Sequence, residues 1–139
     1  LGAPPAAPAV PSVDHFLCWK IALPKGVKFT PIPGVVLVDS FGTASVDVLK
    51  PTHLCTPADK NGETPGAATH DGHLACYQIK LPKGAPKTDP MLGLFVADQF
   101  GALTLDVGDR QTLCVPSRVT RDASSAATTM GDGSPETED

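Results

Sequence analysis

Two histidines and two cysteines fall close together near the start of the chain: His15, Cys18, His53 and Cys55. Two imidazoles and two thiols are donors that zinc accepts. Their spacing argues against a metal. On an extended strand residues three apart point to opposite faces, so His15 and Cys18 do not converge. The C-x₂₋₄-C ligand pair of structural zinc sites is missing, as is the C-x-x-C-H run that attaches haem. The expectation is therefore no metal and no other cofactor. The remaining chemistry open to Cys18, Cys55, Cys76 and Cys114 is oxidation to disulfides, with three possible pairings.

An internal duplication bears on that choice. HFLCWKIALPKG at 15–26 returns as HLACYQIKLPKG at 73–84, an offset of 58. Farther on the offset is 59: Asp39, Phe41 and Gly42 match Asp98, Phe100 and Gly101, and Leu54, Cys55 and Pro57 match Leu113, Cys114 and Pro116. One inserted residue between Gly84 and Asp98 accounts for the change. His53 corresponds to Thr112, so the second repeat lacks the His/Cys set, a further argument against zinc. Pairing Cys18 with Cys55 and Cys76 with Cys114 gives both repeats the same internal bridge. The alternatives exchange cysteines between repeats or between molecules.

The cysteines must be positioned by strands. TASVDVL at 43–49 and ALTLDV at 102–107 alternate apolar and polar residues, the period-two signature of a half-buried strand. VVLVD and LFVAD precede them as denser apolar runs. DSFG and DQFG lie between, and Gly42 and Gly101 suit a tight turn. Each repeat is thus expected to hold a hairpin with Asp-x-Phe-Gly at its corner. FLCWKIAL and LACYQIKL read as opening strands closed by Pro-Lys-Gly turns. HLCTP and TLCVP read as short closing strands. This gives four or five strands per repeat and no helix. The fold class is all-β: two tandem, pseudo-symmetric antiparallel repeats forming a sandwich- or barrel-like unit, one disulfide each.

The chain divides into a Pro/Ala-rich extended arm at 1–13, a β repeat at 14–58, a linker at 59–72, a second β repeat at 73–119 and an acidic Ser/Thr-rich tail at 120–139. Each repeat is about 45 residues, near the lower limit for a self-sufficient core, so the repeats either share a core or are stapled. From Thr120 onward there are five acids and one base, which carry the whole formal charge of −4. The neutral remainder offers no electrostatic attraction for nucleic acid, and no apolar run is long enough to span a membrane as a helix. The start at Leu1 fits a processed, mature protein.

Other candidates have plain structural readings. His15 and His73 match between repeats and read as strand-end residues bonded to a neighbouring loop. Asp39 and Asp98 are possible calcium ligands, but an Asx-type turn accounts for them. Asp47 and Asp106 read as solvent-facing strand residues with lysines across from them. Trp19 and Tyr77 fit either a sugar platform or packing between repeats. No nucleophile elbow, P-loop, zincin or EF-hand motif occurs, so an enzyme is not expected.

The motifs H-x-x-C-[YW]-x-I, D-x-F-G and L-C-x-P together resemble a group of uncharacterised secreted bacterial proteins built from tandem copies of such units. The resemblance covers 15–117 and implies an exported β-rich domain, with no activity or binding residues to carry over. The functional expectation is a structural subunit of an extracellular filament or surface assembly. It would be a homo-oligomer or homopolymer joined through its extended arm. Ser and Thr in the linker and tail would offer O-glycan acceptors. The alternative is a monomeric secreted binding module for glycans or cell surfaces.

Overall fold

The computed structural model describes residues 15–121. The Pro/Ala-rich arm, Asp14 and residues 122–139 of the acidic tail lie outside the described residues. What is described is all-β: β1 (His15–Lys20), β2 (Ile32–Asp39), β3 (Gly42–Ala58), β4 (His73–Lys80), β5 (Met91–Asp98), β6 (Gly101–Val107) and β7 (Thr112–Ser117), with one 3-10 turn at Ala67–Thr69. No helix among these residues is long and apolar enough to cross a membrane.

Five strands form one sheet and two form another. The larger sheet runs β1-β3-β4-β7 along an open path, with β2 also on β3. β1 covers the C-terminal half of β3 and β2 its N-terminal half, while β4 and then β7 follow on the other side. β5 and β6 pair only with each other.

The two repeats reproduce each other's ladders. Cys18 faces Cys55 and His15 faces Ala58; at the matching positions Cys76 faces Cys114 and His73 faces Ser117. Asp39 faces Gly42 and Val35 faces Val46; Asp98 faces Gly101 and Leu94 faces Leu105. Both hairpins carry a register shift at the same place, between Ile32 and Val35 and between Met91 and Leu94. The Pro-Lys-Gly turns are alike too. Val27 donates its N–H to Pro24 O and Ala85 to Pro82 O, both at 3.0 Å. The third turn residue is Gly26 or Gly84, at φ +87° and +85°. Positive φ at that position is the type II turn, which needs glycine there.

The first repeat departs from the expected strand count. Its alternating strand and its closing strand are one continuous 17-residue β3. The residues between, Leu49-Lys50-Pro51-Thr52, stay extended because β4 lies alongside; Pro51 faces Tyr77, with register shifts on either side. Across Pro51 the buried positions pass from Val46 and Val48 to Cys55 and Pro57, from even to odd numbers. An extra residue inserted in a strand has this effect on its faces. The matching stretch of the second repeat, Gly108-Asp109-Arg110-Gln111, separates β6 from β7. Glycine and aspartate favour turns, and the described strands bond that segment only at its end, where Ile79 of β4 donates to Gln111 O.

The core is small. Val46, Val48, Cys55, Ala67 and Cys76 are buried in it, and Pro57 is buried as well. Ala67 comes from the linker, whose 3-10 turn packs on β3. The linker is therefore docked on the sheet. Its fold is fixed locally by Thr64 N–H donating to Asp59 Oδ1 at 2.9 Å and by Asn61 at φ +58°, a conformation asparagine tolerates.

Candidate functional site

The four cysteines form two bridges, Cys18–Cys55 and Cys76–Cys114. Each joins directly opposed residues of neighbouring strands. Because β3 and β4 are adjacent, the bridges lie side by side across β1-β3-β4-β7. Cys55 Sγ and Cys76 Sγ are 3.7 Å apart. Neither sulfur carries a hydrogen, so this is van der Waals contact, and it sits at the centre of the sheet. Cys55 and Cys76 are 2 % exposed. Their partners Cys18 and Cys114, on the flanking strands, are exposed. Each bridge thus has one buried and one solvent-facing end.

The corner residues act on backbone. Asp39 Oδ1 accepts the N–H groups of Phe41 at 2.9 Å and Gly42 at 3.1 Å. Asp98 Oδ1 accepts from Phe100 N–H at 2.8 Å. These are Asx turns, which set the chain reversal. Phe41 and Phe100 stand out at the two tips, Phe100 at 81 % exposure. Gly42 and Gly101 adopt φ of +147° and +131°.

Asp47 and Asp106 have a role that alternation alone did not reveal. Lys80 stands across from Asp47, yet the carboxylate bonds elsewhere: Gly34 N–H donates to Asp47 Oδ1 at 3.4 Å, and Gly93 N–H to Asp106 Oδ1 at 2.9 Å. Gly34 and Gly93 sit at the register shifts, at φ +71° and +73°. Each aspartate holds the irregular residue of its hairpin. The signal in the sequence is a glycine 13 residues before the aspartate in both repeats.

His73 Nδ1 is 2.9 Å from Asp71 O, the expected bond to a neighbouring loop. His15 Nδ1 is buried with no hydrogen-bond partner among the described residues. The residue matching Asp71 is Val13, which lies outside them. His53 Nδ1 is 3.0 Å from Thr52 Oγ1. Among the described residues no three His, Cys, Asp or Glu side chains group as metal ligands would.

Trp19 is 57 % exposed on β1, with Leu17 on the same face and Phe16 on the opposite one. Tyr77 is half-buried and its ring centroid lies 5.4 Å from that of Phe29, a contact between the repeats. An open cleft of about 310 Å³ lies between the first hairpin and the segment entering β7. Leu37, Phe41, Ile79, Met91 and Val107 line it, with Arg110 on its wall. Arg110 is engaged, donating from Nη1 to Thr88 Oγ1 at 2.6 Å.

One polar cluster joins the linker to the second hairpin. Lys60 Nζ pairs with Glu63 Oε2 at 2.6 Å and lies 5.4 Å from the centroid of Phe100. Gln99 Nε2 donates to Glu63 Oε1 at 3.1 Å. The Lys60 bond, then the Gln99 bond, holds the Glu63 carboxyl below the ordinary glutamate range.

No family model, no curated protein and no solved structure matches the chain.

Proposed function

We propose that the chain is a non-enzymatic structural subunit of an extracellular filament or surface assembly, built by self-association of bridged β repeats. One observation carries this reading. Residues 15–121 bury six apolar residues, Pro57 included, but leave fourteen large ones exposed, among them Phe16, Trp19, Val38, Leu92, Phe95 and Phe100. Scattered single apolar residues are ordinary on a surface, whereas this balance fits a unit that completes its burial against other chains. The near-neutral body adds no long-range repulsion between subunits. The two disulfides are compatible with export into an oxidising compartment, as is the resemblance to secreted bacterial tandem-repeat proteins.

The connecting element in this reading is the Pro/Ala-rich arm at 1–13, extended by composition and able to lie along a neighbour's sheet edge. Sedimentation velocity and negative-stain microscopy of the full chain check the assembly, with polymers expected. Deleting residues 1–13 checks the connector. Unchanged polymers after that deletion remove the arm from the mechanism.

A second reading is supported by the exposed Trp19, an aromatic of the kind that stacks on sugar rings, with Leu17 on the same face of β1. It makes the chain a monomeric secreted binding module. A monomer in sedimentation that is retained on a polysaccharide column favours it over the filament.

A further inference from the structure

The junction between the two repeats is a sheet junction, and both of its halves recur, uncovered, at the ends of the molecule. Inside the chain the outer edge of β3 takes up β4: Cys55 faces Leu74, Leu54 faces Ala75, His53 faces Cys76, Val48 faces Ile79 and Asp47 faces Lys80. β7 is the second repeat's counterpart of the C-terminal half of β3. It pairs with β4 on one side and with no described strand on the other. β1 is the first repeat's counterpart of β4. It pairs with β3 on one side and with no described strand on the other. Each molecule therefore carries an acceptor edge at one end of the sheet and the matching donor edge at the other.

We propose that β1 of one molecule adds to the free edge of β7 of the next, repeating the β3–β4 junction between molecules. This rests on the self-association reading above and takes β1, in place of the arm at 1–13, as the strand that joins molecules. Transferring the internal register by the repeat offsets sets Cys114 opposite Phe16, Leu113 opposite Leu17 and Thr112 opposite Cys18 of the neighbouring molecule. Val107 comes opposite Ile21 and Asp106 opposite Ala22 where the Gly108–Gln111 break straightens, as its counterpart in β3 does.

The hydrogen-bonding groups point the right way. Ile79 N–H donates to Gln111 O. Bonded and non-bonded pairs alternate along an antiparallel ladder, so Leu113 also bonds towards β4. Thr112 and Cys114 then turn their N–H and C=O groups outward. On β1, Ile21 N–H donates to Thr52 O. Alternation therefore turns Phe16, Cys18 and Lys20 outward. The acceptor stretch 112–114 contains no proline to remove a donor.

Burial supports the same pairing. The internal junction leaves Cys55 and Cys76 2 % exposed, whereas their counterparts Cys114 and Cys18 are exposed. Tyr77 is half-buried while its counterpart Trp19 is 57 % exposed. Each difference is what removal of one neighbouring strand produces. The contact is heterologous, donor edge to acceptor edge, and such contacts grow open chains when the rotation between molecules does not close a ring.

The experiment uses two full-length variants, each with one outward amide removed: Phe16→Pro in the donor and Thr112→Pro in the acceptor. Proline at an outward strand position leaves the inner ladder intact. Intact bridges by mass and an unchanged β circular-dichroism spectrum show that each variant is folded. By sedimentation velocity each variant alone is expected to be monomeric. An equal mixture is expected to stop at dimers, because it contains one usable donor and one usable acceptor. Polymers from both variants overturn this interface while leaving self-association standing. Dimers from either variant alone indicate a symmetric edge contact and also overturn it. A wild-type chain that stays monomeric removes the underlying reading as well. A readout independent of folding of the variants is the single tryptophan. As wild-type protein assembles, Trp19 emission should shift to the blue and acrylamide quenching should fall; unchanged emission on assembly places β1 outside the contact and overturns the proposal.

Discussion

The two repeats run through nearly the same local structures and reach different degrees of burial. In both, an opening strand is bridged to a closing strand, an Asx corner turns the hairpin, and an aspartate holds a glycine at the register shift. The first repeat has a strand on each side of β3, whereas in the second β7 has β4 on one side only and β6 has β5. Val48 is 6 % exposed; its counterpart Val107 is half-buried. The closing strand runs unbroken in the first repeat and is interrupted in the second. Local sequence thus sets turns and registers, while a neighbouring strand decides whether a segment stays straight and becomes core.

The sharpest test of this contrast concerns what the repeats share. The bridges close loops of nearly equal length, with separations of 37 and 38. Removing either should cost about 4 kcal/mol on the chain-entropy account. Urea unfolding of Cys18→Ala with Cys55→Ala, and of Cys76→Ala with Cys114→Ala, should show matched losses. A loss confined to one pair would mean that only one repeat depends on its brace. The next effect separates the repeats. Val48→Ala should destabilise by about 2 kcal/mol, and the identical deletion Val107→Ala by about 1 kcal/mol or less, because less surface is lost from contact. Equal losses would show that the second hairpin is packed as closely as the first.

The smallest effect concerns the tether between the linker and the second hairpin. Glu63 is held below the ordinary glutamate range by Lys60 and Gln99. A lowered folded-state pKa contributes stability above the unfolded value and loses it as pH falls through the folded one. The side-chain amide resonances of Gln99, which donates to Glu63, should therefore move in acid, with a midpoint below that of a free glutamate. In Glu63→Gln that transition should vanish.

Much of this was legible from the residues. The matched cysteines gave the bridges, the Asp-x-Phe-Gly runs gave the corners, and period-two alternation gave the hairpin strands. These signals act over a few residues or are repeated, so they survive without knowledge of the tertiary neighbours. The unbroken β3 was not legible, because Lys50-Pro51 reads as an interruption unless β4 is known to lie beside it. The Gly34–Asp47 and Gly93–Asp106 bonds were also missed. Alternation places those aspartates on the outward face, and it is the register shift that brings a glycine amide within reach. Ala67 carries no sign in its own sequence that it closes the core from within a polar linker.

The bridges also fix how the molecule would respond to being pulled. Tension entering near Cys18 crosses its bridge to Cys55, runs along residues 56–75 and crosses again from Cys76 to Cys114. Both hairpins lie outside that route and bear no load while the sulfurs stay joined. Only the stretch between the bridges can pay out, about 70 Å of extended chain at 3.3–3.6 Å per residue. A strand of such molecules would behave as a tether with a short, fixed slack.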